Sequence, residues 1–161
     1  MEGWGDFAVI TGGAAAALLG LLFVAASIRA DVIGRSHVLR SRISQVLGVF
    51  LSLLIASIAI ALPQPAAWAL GVELLVVAVL LGVALLILDH RAKASREGGT
   101  LARILDRVNP NISTSVLLAL AGIVVAIGFD AGLYLVALAA LVGFVGGVTS
   151  AWLVLVSDSE V

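Results

Sequence analysis

Five apolar runs, each close to the length that crosses a bilayer, constrain this chain more than any other feature: 7–28, 43–62, 66–88, 112–128 and 131–156. A helix needs about 20 predominantly apolar residues to span a hydrocarbon core about 30 Å thick, since its backbone must satisfy its own polar groups there. The pattern predicts an all-α fold, a membrane helix bundle with five transmembrane helices forming a single domain over residues 1–161. The fourth run is the shortest, which leaves open a four-helix arrangement with that run as a re-entrant hairpin. Only 12% of the residues are charged, against about 25% in soluble domains, too little polar surface to solvate a chain of this size.

Charge placement supplies an independent signal. Arg29, Arg35, Arg40 and Arg42 lie between the first two runs, and Arg91, Lys93, Arg96, Arg103 and Arg107 between the third and fourth. No other segment holds a basic residue. The positive-inside rule then makes both loops cytoplasmic, with the amino terminus outside and the carboxyl terminus inside, in a multi-pass protein of the bacterial cytoplasmic (inner) membrane. With no basic residue before the first run and no small-x-small cleavage site after it, the first helix reads as retained. Pro65 suits the first turn of the third helix, and Asp130 and Gly132 suit a tight reversal before the fifth. In the segment 101–108, Leu101, Ile104, Leu105 and Val108 recur at helical spacing opposite Arg103, Asp106 and Arg107, as in a short interfacial cytoplasmic helix. Asn109-Pro110-Asn111 breaks the chain, and Asn111 or Ser113 is placed to cap the next helix. Trp4, Trp68 and Trp152 fall near helix ends, where interfacial anchors belong.

Several function classes drop out. A net charge of −1 offers no basic excess for nucleic acid, and the absence of cysteine removes thiolate chemistry. His37 and His90 are too few and too distant for a metal motif, and no cofactor is implied; His37, among arginines, reads as an interfacial polar residue. No phosphate loop, nucleophile elbow, zinc-protease motif or carboxylate pair appears, so the chain is not expected to be an enzyme. The carboxyl-terminal Ser159-Glu160-Val161 has the form that PDZ grooves accept, a weak three-residue pattern.

Two features remain. Helices associate in lipid by close packing of small residues, and Gly12, Ala16 and Gly20 recur every four residues on the first helix, as do Ala139, Gly143, Gly147 and Ala151 on the fifth. Gly71, Ala78 and Gly82 share a face of the third. Such stripes pack a chain's own helices, or the longest of them is a subunit interface. Glu73 is the one ionisable residue inside an apolar run, and it sits away from every basic residue. An intramembrane carboxyl is costly and faces protein or water, unless it snorkels to the interface. Glu2, Asp6 and Asp130 share its side. The basic loops could bind membrane lipid through anionic headgroups.

The first helix and its exit, Thr11-Gly12-Gly13-Ala14-Ala15-Ala16-Ala17-Leu18-Leu19-Gly20-Leu21-Leu22-Phe23-Val24-Ala25-Ala26-Ser27-Ile28-Arg29, with the later Leu62-Pro63-Gln64 turn, resembles a group of small uncharacterised bacterial polytopic integral membrane proteins. Some of them are labelled modulators of a membrane-anchored protease. The resemblance implies a polytopic membrane protein and assigns no functional residue. Two functions fit the residues: a homo-oligomer lining a cation or proton pathway through Glu73, and a non-catalytic accessory or scaffold subunit bound to another membrane protein.

Overall fold

A computed structural model describes residues 3–64, 66–93 and 110–156. The expected interfacial helix at 101–108, the place of Pro65 and the carboxyl-terminal motif lie outside the described residues. The described chain is helical: α1 Trp4–Ile28, α2 Ala30–Arg35, α3 His37–Ala61, α4 Ala67–Lys93, α5 Pro110–Ala126 and α6 Gly132–Val156.

Local chemistry sets the breaks. Ser36, in an extended conformation, separates α2 from α3, and its Oγ accepts from the Leu39 N–H at 3.3 Å, capping α3. Leu62 ends α3 in the extended conformation that a following Pro63 demands. At the end of α5, Gly128 adopts a left-handed φ of 93°. Its N–H donates to Val125 O at 2.9 Å and the Phe129 N–H to Val124 O at 3.1 Å, which closes the helix as a Schellman motif. The sequence pointed to Asp130 and Gly132 for this reversal. Gly128 makes the left-handed residue, while Gly132 serves packing, since a Cβ there would lie 2.7 Å from Val125 Cγ2 and 2.9 Å from Ala121 O.

The long helices run alternately up and down. Trp4 and Tyr134 meet edge-to-face with centroids 5.1 Å apart, which puts the starts of α1 and α6 at one end. At the other, Ser41 Oγ donates to Leu88 O at 2.9 Å, joining the start of α3 to the end of α4. Arg29, Arg35, Arg40 and Arg42 all belong to this second end. The centre is α3, which packs against α1, α4 and α6 and buries Val46, Val49, Phe50, Leu53 and Ala56. By contrast α1 packs on α3, touches α6, and meets neither α4 nor α5.

Among the described residues four helices are long and apolar enough to cross a membrane, within Trp4–Ile28, Leu39–Ala61, Trp68–Leu88 and Gly132–Trp152. The fourth apolar run forms the shorter α5, whose 17 residues at about 1.5 Å each cover about 26 Å, less than a hydrocarbon core of about 30 Å. Its start lies beside Gln45, one helical turn in from Ser41, so it begins recessed from the basic end.

Glycine sets the closest crossings. At Gly71 a Cβ would fall on the backbone N of Ala126, and at Gly122 one would lie 2.8 Å from Leu75 N and 2.9 Å from Gly71 O. The backbones of α4 and α5 therefore meet directly. Farther along the same face, Ser115 Oγ donates to Ala78 O at 2.9 Å and lies 3.0 Å from where a Cβ of Gly82 would stand. On α6, Ala139, Gly143 and Gly147 are buried within the chain: a Cβ at Gly143 would lie 3.0 Å from Leu53 Cδ1, and one at Gly147 2.6 Å from Phe50 Cε1. Ala151 is half-buried. On α1 only Gly12 is packed, with Ser57 Cβ 3.1 Å from its missing Cβ, while Ala16 and Gly20 face outward. A spacing of four residues advances about 400° around a helix, so such a stripe drifts about 40° per step. The buried face of α1 follows Ala8, Thr11, Gly12, Ala15 and Leu22 instead.

Candidate functional site

Glu73 sits six residues into α4, about 9 Å from the first residue of the helix. The turn after α3 brings Gln64 over it. The Gln64 amide donates from Nε2 to Ala59 O at 3.0 Å and to Glu73 Oε2 at 3.0 Å, so a single side chain ties the end of α3 to the carboxyl group. Glu73 itself is exposed, on a surface that includes Val72, Val76, Leu80 and Ala84. Within one chain it faces outward rather than into the bundle, and its hydrogen bond comes from the turn. Asp6 and Asp130 are exposed at the same end as the Trp4–Tyr134 contact. Trp4 also meets Phe7 edge-to-face at 5.4 Å. Among the described residues no three His, Cys, Asp or Glu side chains are grouped to hold a metal ion.

The small-residue candidates are not gathered round Glu73. Gly12 packs α1 on α3, and Ala139, Gly143 and Gly147 pack α6 into the core. Ala16 and Gly20 lie bare on the outside of α1.

A buried polar set inside the bundle escaped the sequence reading. Asn111 Nδ2 donates to Gln45 Oε1 at 3.4 Å across 66 residues of sequence, and Ser41, Thr114 and Ser115 are buried close by. Ser52 and Ser57 satisfy their hydroxyls on Val49 O and Leu53 O of their own helix. Two spacings signal the set. Positions 41, 45 and 52 share one side of α3, and 111, 114 and 115 share one side of α5. Every member is uncharged, and Ser41, Gln45, Asn111 and Ser115 tie one helix to another by hydrogen bonds.

No protein-family model, curated protein or solved structure matches the chain.

Proposed function

We propose that the chain crosses the bacterial inner membrane five times, amino terminus outside, and assembles as a homo-oligomer whose Glu73-bearing faces of α4 line a cation or proton pathway. The observation that carries this reading is the position of Glu73 on the outer surface of the bundle, among Val72, Val76 and Leu80. A carboxyl in lipid is costly, by roughly 2.5–3.5 kcal/mol for Asp at a helix centre on insertion scales, and among the described residues of a single chain only Gln64 bonds to it. A second copy closing over this face would enclose it with water or a cation. The pathway in this reading therefore runs between subunits and not through one. Glu73 would stand at its outer mouth, where Asp6 and Asp130 add negative field. Five crossings require the bilayer to thin locally, or neighbouring side chains to snorkel, around the short α5. Flux of protons and monovalent cations into liposomes holding only this protein tests the proposal. Wild type should conduct and Glu73→Gln should not, with assembly unchanged; equal flux in the two would remove Glu73 from any pathway.

A second reading rests on α1, which among the described helices packs mainly on α3, with slight contacts to α2 and α6, and leaves its outer face bare there. An accessory subunit would use that face to hold another membrane protein, as the resemblance to membrane-protease modulators would imply. Absence of flux together with stable co-purification with a larger complex would favour it.

A further inference from the structure

The link between α1 and α3 is the most heavily charged part of the described chain. Over residues 29–42 it holds four arginines and one aspartate, a net charge of +3 with His37 neutral. The apolar span of α1 ends at Ile28 and that of α3 resumes at Leu39, so the link lies where the hydrocarbon would end. Arg40 reaches back across the break at Ser36, its Nη2 donating to Gly34 O at 2.8 Å. This bond rests the Arg40 guanidinium against the last turn of α2, where Arg35 is the next residue. A guanidinium has five N–H donors in a fixed fork, and the bond to Gly34 takes one of them. Both arginines are exposed, and among the described residues no carboxylate pairs with either. Two exposed cations thus stand five residues apart across the break at Ser36, one of them held in place, at the end of both apolar spans.

We propose that Arg35 and Arg40 bind the phosphate of an anionic phospholipid headgroup. The lipid's acyl chains lie against the exposed apolar end of α1, where Val24 and Ile28 are bare. The position at the end of two apolar spans selects a lipid over free phosphate, because only a lipid covers the apolar surface as well as the charge. Forked guanidinium donors match phosphate oxygens bidentately, and the Gly34 bond lowers the cost of ordering Arg40. The start of α3 adds partial positive charge of the same sign. This site is independent of the Glu73 face at the opposite end and of any species that crosses.

Native mass spectrometry of the purified full chain from detergent micelles doped with phosphatidylglycerol or phosphatidylcholine tests it. Wild type should retain phosphatidylglycerol with about tenfold preference, the effect of one charged hydrogen-bonded pair. Arg40→Gln and Arg35→Gln should each abolish most of that preference. Arg42→Gln, which removes the same charge about 200° around α3 from Arg40, should leave it within about twofold. The Arg35 side chain makes no described hydrogen bond, so its variant decides the matter if Arg40→Gln does not fold. No preference in wild type, an equal loss in all three variants, or full displacement of the lipid by inorganic phosphate would overturn the proposal.

Discussion

Gly71 and Gly20 are both helical glycines in apolar runs, yet their surroundings give them opposite sensitivities. A Cβ at Gly71 collides with the backbone of Ala126, which cannot swing aside as a side chain can; at Gly20 it meets nothing within 4 Å. Gly71→Ala should therefore destabilise the fold by about 1–3 kcal/mol, as overpacking does, and Gly20→Ala should be neutral or stabilise by up to about 1 kcal/mol through helix propensity. Thermal unfolding in a fixed detergent compares the two directly. The periodicity of glycine and alanine is visible in the sequence, but which glycines lie at a crossing depends on the angle at which two helices meet. Glu73 shows the same limit. Its isolation is plain from the residue list, whereas the Gln64 amide that reaches it depends on how the turn at Leu62 and Pro63 folds back. Because Glu73 is exposed, Glu73→Leu should change stability by no more than about 0.5 kcal/mol in detergent, even where it abolishes flux. A large loss of stability in that variant would mark the Gln64 bond as the true role of the carboxyl.

The helices answer to different parts of the sequence. The long apolar runs locate both ends of α1 and α6 to within three residues, whereas α3 begins six residues before its run and α4 ends five residues beyond its own, because each helix continues into polar sequence that hydropathy does not register. The break at Ser36 and the six-residue α2 were not anticipated, since a short polar turn carries no periodic signal. The end of α5 is set by Gly128, and Gly128→Ala should cost about 1–2 kcal/mol, the penalty of a left-handed residue with a Cβ. The α6 stripe has a sharper consequence. Gly147 faces Phe50 and Val46 of the same chain, so Gly147→Leu should unfold or swell the monomer rather than only separate subunits. Size-exclusion in mild detergent reads this: an intact, stable monomer from Gly147→Leu would contradict the packing of α6 on α3.

At the scale of the whole molecule, the alternation of helices places the basic link 29–42 at one end and the 127–131 turn at the other, independently of any membrane. Hydropathy and loop charge made this legible, as each apolar run reverses the direction of the last. They did not show that α5 is recessed or that α3 is the hub, since both depend on which faces pair. The chain lacks cysteine, so single substitutions report sidedness cleanly. Asp130→Cys should label from outside in intact cells, and Gly34→Cys, in open space on α2, should label only after permeabilisation. The opposite pattern would invert the proposed orientation, and equal labelling would point to a mixed population.

The central position of α3 also bears on the order in which the chain assembles as it leaves the ribosome. Its partners arrive at different times: α1 precedes it, α4 follows at once, and α6 comes last, with 94 residues separating Leu53 from Gly147. At about 5–20 residues per second, the face awaiting α6 stands uncovered for roughly 5–20 s. That face is Val46, Val49, Phe50 and Leu53, all apolar, so in a bilayer acyl chains would cover it without stranding a polar group and would withdraw as α6 packs. Gln45 and Ser41, which lipid would solvate poorly, sit instead toward the end of α3 that carries Arg40 and Arg42, where water would serve them in a bilayer until Asn111 and the end of α4 arrive. In a bilayer, the unfinished forms of the hub would therefore be tolerable.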